Sequence, residues 1–273
     1  MKVSFLAFDK RMASARLRQH IPMRELAKLG VEIGKGGDVL VCSKHGWPAE
    51  LADGFERVVF DICDDHFGSE SDLHYRKFCR LADAVTCNSD AMRFRIFQET
   101  QRVAKVIPDP YETEEAPPSW GEGLLWYGHE TNLKDLWREI PDLHGYRLCV
   151  VSNPVQEGIT AWSPEVQAKA LADCAVVILP TGKSACKSAN RMIEAIRAGK
   201  FVVANPLPAY EQLSRYAFVG SIREGVDWAH AHQDEALELV RRGQEFVRAN
   251  FSPETIGKQW HDVLEKVTAK VAA

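Results

Sequence analysis

Two basic residues, Lys187 and Arg191, lie where the sequence predicts the start of a helix. The first turn of a helix has unpaired N–H groups and a partial positive charge, which disfavours cations there unless an anion binds. With Ser188 and Asn190 they would form a site for a diphosphate. Glu194 would lie about two turns further on the same face, where its carboxylate could accept hydrogen bonds from ribose hydroxyls. An ordinary salt-bridged surface helix is the alternative explanation.

Apolar runs on both sides of this segment predict the elements that position it. Residues 175–180 predict a buried strand and residues 201–204 predict a second strand, so the segment between them completes a βαβ unit. Similar runs alternate with helical periodicity along the chain, beginning with a strand at 2–8. This alternation predicts an α/β protein with parallel sheets that are covered on both faces.

A Pro- and Glu-rich stretch between residues 109 and 123 interrupts the alternation. We interpret residues 113–122 as a linker between an N-terminal domain at 1–112 and a C-terminal domain at 123–273. A surface loop within one domain is the alternative. Two Rossmann-like domains joined in this way would face each other across a central cleft, where open α/β sheets bind their ligands.

The bulk composition is that of an ordinary soluble protein. The 273 residues carry a net charge of −4, and no apolar run approaches the roughly 20 residues of a membrane span. The seven cysteines include no CxxC pair, which argues against zinc ribbons and favours reduced thiols in the cytoplasm. The pI of about 6.2 argues against broad binding of nucleic acid. We expect no signal peptide.

Several segments resemble the glycosyltransferases group 1 family, which is retaining and has the GT-B fold. The sequence at 180–204, PTGKSACKSANRMIEAIRAGKFVVA, is similar to the family's nucleotide-sugar segment. The sequence at 124–136, LLWYGHETNLKDL, resembles the first strand and loop of its C-terminal domain. Shorter matches in the N-terminal half are SARLR at 14–18, ADAVTCNS at 82–89 and VIPD at 106–109.

The resemblance extends the candidate donor site to a second segment. It implies that Gly128 ends the first strand and that Lys134 binds the diphosphate. His129 stands where the family usually has an arginine, and Cys186 stands where it usually has the first of two glutamates. Glu194 matches the second glutamate.

The resemblance implies a hexosyltransferase that moves a sugar from a nucleotide-activated donor, with retention and without a metal or cofactor. Lys134 and Arg191 would stabilise the charge on the departing diphosphate. Polysaccharide biosynthesis is the expected context, with the acceptor open among glycans, lipid-linked molecules and proteins. The last helix, at about 253–269, would pack back on the N-terminal domain. The alternatives are a catalytically reduced GT-B module that binds nucleotide sugar or glycan as a partner subunit, and an epimerase of the GT-B type.

Acidic residues and a histidine follow the strand predicted at residues 57–62. Asp61, Asp64, Asp65 and His66 are all suitable metal ligands, so a metal site is one interpretation. In the second interpretation, His66 is a catalytic cleft residue that contacts the donor sugar or the acceptor, with Asp65 beside it. The third is a solvated loop.

Arg16 and Arg18 lie two residues apart on a predicted helix, so they face different directions. We place Arg16, the nearer to the helix start, in the cleft. Together with Arg11, these arginines would also form a basic patch for peripheral membrane contact.

Overall fold

The computed structural model describes residues 1–6, 9–44, 49–153, 156–182 and 184–269. The chain forms two compact units. Unit 1 comprises residues 1–112, 185–188 and 250–273, and unit 2 comprises residues 113–184 and 189–249. No helix in the described ranges is both long enough and apolar enough to cross a membrane.

Unit 1 contains one sheet and the helices that cover it. Its strands are β1 (Lys2–Phe5), β2 (Glu32–Ile33), β3 (Val39–Ser43), β4 (Arg57–Ile62), β5 (Ala84–Cys87) and β6 (Lys105–Val106). Its first helices are α1 (Ala13–Ala15), α2 (Ile21–Lys28), α3 (Asp72–Leu81) and α4 (Asp90–Thr100), with a 3₁₀ turn at Ala49–Gly54. The strand order is β2-β1-β3-β4-β5-β6, and every pairing is parallel.

Both faces of this sheet are buried, as its continuous apolar runs predict. Leu40 and Phe60 pack with α3 and α4 on one face, and Val39 and Val59 contribute to a core on the other. Strand β1 ends at Phe5, earlier than predicted, and Ala7 and Phe8 lie outside the described residues.

The helix predicted after β1 is irregular. A π-helical segment, Arg16–His20, separates α1 from α2. Its extra residue per turn changes the directions of the side chains that follow, and such segments are frequent at functional sites. Gly30, with φ of +83°, follows the end of α2 and ends the helix.

Unit 2 repeats the architecture. Its strands are β7 (Leu124–Tyr127), β8 (Leu148–Ser152), β9 (Thr160–Ala161), β10 (Val176–Leu179), β11 (Phe201–Ala204) and β12 (Phe218–Val219). Its helices are α5 (Leu133–Glu139), α6 (Pro164–Asp173), α7 (Asn190–Arg197), α8 (Ile222–Ala231) and α9 (Gln233–Phe251), the last two residues of which belong to unit 1. Its 3₁₀ turns lie at Glu130–Asn132, Ile140–Leu143 and Pro208–Tyr216. The parallel order β12-β11-β10-β7-β8-β9 places the reversal of strand order between β7 and β10.

The last helix, α10 (Pro253–Ala269), belongs to unit 1. Its apolar face contributes Ile256, Trp260 and Leu264 to the core that contains Val39. A Cβ atom on Gly257 would lie 2.5 Å from the Cβ of Glu25, so α10 approaches α2 closely at this glycine.

Lys200 is a buried lysine that hydrogen-bonds to two other segments of unit 2. It is 1% exposed, and its Nζ donates to the carbonyls of Ala172 and Cys174 at 2.9 Å each and to the Ser119 hydroxyl at 2.9 Å. Burial lowers its pKa. The lysine therefore caps the end of α6 and fixes the start of β7 through the preceding loop.

We expect Lys200→Met to destabilise the protein by about 1–3 kcal/mol, because the freed carbonyls stay buried without a donor. Urea unfolding monitored by circular dichroism measures the change. Lys169→Met is the matched control, since the Lys169 side chain is 78% exposed and pairs with Asp173. An equal loss for both variants would contradict the prediction.

Candidate functional site

The carboxyl end of β7 forms the centre of the candidate site in unit 2. It lies beside β10 at the reversal of strand order, where open α/β sheets bind ligands. Nη1 of Arg191 donates to the carbonyl of Tyr127 at 3.3 Å, and the guanidinium lies 6.0 Å from the Trp126 ring centre. A Cβ atom at Gly128 would be 3.1 Å from Nη1. The glycine therefore allows Arg191 to approach the strand end closely.

Helix α7 brings a carboxylate to the same part of unit 2. Glu194 is 6% exposed, and its Oε2 accepts a 2.9 Å hydrogen bond from the backbone N–H of Thr113. The Tyr127 hydroxyl donates to the carbonyl of Arg191 at 2.7 Å, which ties α7 to β7. Burial and the charge of Glu194 raise the pKa of Tyr127 well above its usual value, with Arg191 opposing them. Tyr127 is therefore a protonated hydrogen-bond donor.

The predicted helix start was wrong by three residues. Helix α7 begins at Asn190, whose Oδ1 accepts a hydrogen bond from the N–H of Arg191 at 2.8 Å. Lys187 and Ser188 precede the helix and belong to unit 1, so Lys187 does not share a helix face with Glu194. The local pattern alone could not reveal this, because long-range contacts hold residues 185–188.

Lys134 and His129 lie in the loop and helix after β7. Lys134 is exposed in the first turn of α5. His129 caps the 3₁₀ turn that precedes α5, where its Nδ1 accepts from the N–H of Thr131 at 3.3 Å. After β10, the chain passes α5 so closely that a Cβ atom on Gly182 would lie 2.7 Å from the carboxylate of Asp135. The start of α5 therefore lies beside the segments that follow β7 and β10.

In unit 1, His66 lies after β4. It is half-buried, and its ring centre is 5.2 Å from that of Tyr75. Asp64 forms a 3.1 Å ion pair with Lys44. Burial raises the pKa of Asp64, but the charges of Lys44, His66 and Lys187 outweigh it and lower the pKa overall. His66 therefore lies in a charged group of side chains at the carboxyl end of the strand.

The four side chains of the proposed metal site do not converge. Asp61 is 1% exposed and accepts two hydrogen bonds from Arg18, at 2.6 and 3.0 Å. Asp65 lies 3.3 Å from Nε of Arg95. In the ranges that the structure describes, Asp61, Asp64, Asp65 and His66 supply no cluster of three ligand atoms.

The three arginines of the predicted basic patch have different environments. Arg16 makes two 2.7 Å hydrogen bonds to Glu112, and Arg11 pairs with Asp9. Arg18 is 1% exposed, so its place in a basic surface patch was wrong. Its Nη1 also contacts the carboxylate of Asp109 at 3.2 Å. Sequence analysis missed this buried group because its members are distant in the chain.

Solved structures with a similar fold were found by structural comparison. In a complex with UDP-glucose, Anabaena HepE is 13% identical to this chain, with a TM-score of 0.75 over 97% of this chain and 100% of HepE. WaaG, a glycosyltransferase involved in lipopolysaccharide biosynthesis, is 12% identical, with a TM-score of 0.64 over 96% of this chain and 99% of WaaG. TarM is 14% identical, with a TM-score of 0.60 over 82% of this chain, which spans only 54% of TarM. No protein-family model and no curated protein matches the sequence.

These likenesses establish the fold, which is GT-B with one parallel six-stranded sheet in each of two Rossmann-like units. The predicted α/β class and GT-B fold are confirmed.

Proposed function

We propose that this protein is a glycosyltransferase that moves a sugar from a nucleotide-activated donor to an acceptor hydroxyl. The observation that carries the proposal is the pairing of Arg191 with the glycine-terminated end of β7, one helical turn from the buried Glu194. It supports a site for a nucleoside diphosphate. HepE, which has the same fold, binds UDP-glucose.

In the proposed reaction, the bond between the anomeric carbon and the diphosphate oxygen breaks as the acceptor oxygen bonds to that carbon. The acceptor proton leaves and ends on the diphosphate. Negative charge grows on the diphosphate in the transition state, so a fixed cation lowers the barrier. Arg191 is the fixed cation, because the Tyr127 carbonyl and the Trp126 ring hold its guanidinium. We also propose that the transfer retains the configuration at the anomeric carbon and requires no metal.

Glu194 is proposed to bind the ribose of the donor. Its carboxylate oxygens are acceptors for ribose hydroxyls, and the hydrogen bond from the N–H of Thr113 holds the side chain in place one helical turn from Arg191. Lys134, exposed at the start of α5, is proposed to bind the phosphates with Gly128 and His129. We propose that His66 contacts the acceptor. The reacting hydroxyl of the acceptor belongs to a glycan, a lipid-linked molecule or a protein.

The test is thermal unfolding with UDP, GDP, ADP and their glucose conjugates. A ligand that binds only the folded state at 100 times its Kd adds about 2.7 kcal/mol of stability. For a chain of this size, that raises the Tm by several degrees. One nucleotide class is expected to raise the Tm of the wild type, and Arg191→Ala and Glu194→Gln are expected to lose the shift.

Arg138→Ala is the control, since it removes an exposed guanidinium from the same unit. It is expected to keep the full shift. If no nucleotide shifts the wild type, or if all variants respond equally, the proposed site is wrong. Production of free nucleoside diphosphate from the bound donor separates a transferase from a module that only binds.

A further inference from the structure

Exposed apolar side chains are concentrated on two helices of unit 1. Phe94 is 62% exposed and Phe97 is 43% exposed, and their spacing of three residues places them on one face of α4. On α3, Leu73 is 81% exposed and shares a face with Leu81. Val103, shortly after α4, is also exposed. Of the eleven large apolar side chains that are exposed in the described ranges, these five lie within one stretch, so they are not scattered singly over the surface.

Helices α3 and α4 lie side by side on the sheet of unit 1. Phe78 of α3 and Ile96 of α4 pack into the same buried core. Arg76 of α3 forms an ion pair with Glu99 of α4, which joins the two helices along their length. Phe94 lies two residues before Ile96, so it faces the opposite side of α4. The sides of α3 and α4 that face away from the core are therefore neighbours, and the exposed apolar side chains lie on them.

The same stretch of the chain is basic. Between residues 71 and 105 the sequence has seven Lys or Arg residues and four Asp or Glu residues, in a chain whose net charge is −4. All four acids form ion pairs: Asp72 and Glu99 with Arg76, Asp83 with Arg57, and Asp90 with Arg93. Lys77, Arg80 and Lys105 are exposed and form no ion pair with any residue that the structure describes. Their charges can therefore meet anions outside the protein.

We propose that this surface docks on an anionic membrane. The α3–α4 face is defined by Leu73, Lys77, Arg80, Leu81, Phe94, Phe97 and Val103. Its apolar side chains would enter the boundary between headgroups and acyl chains, while the lysine and arginine heads reach the lipid phosphates. This face differs from the patch predicted around Arg11 and Arg16, whose charges Asp9 and Glu112 compensate.

Charge decides between a membrane and a second copy of the chain as the occupant. In a two-fold dimer through the α3–α4 face, the cations at Lys77 and Arg80 would meet the same cations of the other copy. Like charges that face each other disfavour association. An anionic headgroup layer instead complements these cations and accepts the phenylalanines. The binding does not require the proposed transferase activity, because no residue of the donor site contributes to it.

Co-sedimentation with lipid vesicles tests the proposal. The protein is expected to bind vesicles made from equal parts of phosphatidylglycerol and phosphatidylcholine, and to bind vesicles of phosphatidylcholine alone much more weakly. Lys77→Gln and Arg80→Gln are each expected to lower the partition coefficient about fivefold. The double variant Phe94→Ser, Phe97→Ser is expected to lower it about tenfold. All four side chains are exposed, so the variants should keep the Tm of the wild type.

Two variants in unit 2 are the matched controls. Trp137→Ser removes an apolar side chain that is 42% exposed, close to the exposure of Phe97. Lys169→Gln removes a cation whose side chain is 78% exposed. Both are expected to keep the partition coefficient of the wild type, because neither residue belongs to the α3–α4 face.

Three results would overturn the proposal. The first is failure of the wild type to bind the phosphatidylglycerol vesicles, and the second is an equal loss of binding in the control variants. The third comes from sedimentation velocity without lipid: a wild-type dimer that Phe94→Ser, Phe97→Ser converts to a monomer would assign the face to a second copy. Each result leaves the proposed function standing, since nucleotide binding is measured separately by the Tm.

Discussion

Replacing Arg191 with alanine is expected to lower kcat/KM for the nucleotide-sugar donor by roughly 10²–10³-fold, equivalent to about 2.7–4 kcal/mol of transition-state stabilisation. The guanidinium is held between the Tyr127 carbonyl and the Trp126 ring, so it need not reorganise as charge develops. Most of the loss should appear in kcat, because the charge on the leaving diphosphate grows in the transition state. Release of nucleoside diphosphate at saturating and limiting donor concentrations measures the two constants.

Arg191→Lys tests whether charge alone is enough. Lysine keeps the cation but lacks the planar fork that donates to strand and phosphate together, so we expect it to recover only part of the activity. Arg138→Ala controls for the change in net charge and should keep wild-type kinetics. Wild-type kcat/KM in Arg191→Ala, with an unchanged Tm, would exclude Arg191 from the reaction.

Sequence analysis predicted the strands well because each sheet is buried on both faces. The strands predicted at residues 57–62 and 201–204 have the same bounds as β4 and β11. The N-caps of α4 and α6 are also set locally, since the side chains of Ser89 and Ser163 each accept a hydrogen bond from a backbone N–H three residues later. Strand bounds and helix starts that depend on neighbouring residues in the chain can therefore be predicted from the sequence.

The errors arose where distant residues decide the structure. Helical propensity extended α7 back to Lys187, but the contacts of Cys186 and Ser188 with unit 1 keep that segment out of the helix. Arg18 carries a charge that predicts exposure, yet partners 43 and 91 residues away compensate its burial. One sequence cannot show such pairings. In the candidate site, the structure brings the predicted residues Gly128 and Arg191 together, whereas Thr113 as the backbone partner of Glu194 was not predicted.

Replacing Arg18 with methionine is expected to cost about 3–5 kcal/mol of unfolding free energy, since it leaves the carboxylates of Asp61 and Asp109 buried without their cation. Methionine fills similar space and retains contact with Trp260, whose ring centre lies 5.5 Å from the guanidinium carbon. The loss would therefore come from charge more than from packing. Urea unfolding at pH 7 measures it.

Arg16→Met is the matched control two residues earlier in the same π-helical segment. Arg16 makes an equally well-formed pair with Glu112, but its side chain is 24% exposed, so the expected loss is about 1 kcal/mol or less. If Arg16→Met and Arg18→Met lose the same unfolding free energy, the burial of Arg18 with Asp61 and Asp109 is not the cause of the loss.

The pH dependence of Arg18→Met provides the second test. The pKa of Asp109 is already raised by burial in the wild type, and removing the guanidinium raises it further. An acid with a raised folded-state pKa binds its proton more tightly in the folded state, so stability falls as pH rises through that pKa. The loss of unfolding free energy in Arg18→Met should therefore be smaller at pH 5 than at pH 7.

Adding Asp61→Asn and Asp109→Asn should recover most of the loss at pH 7, because no buried carboxylate then lacks a cation. A penalty that is independent of pH and is not rescued would show that Arg18 acts through packing alone.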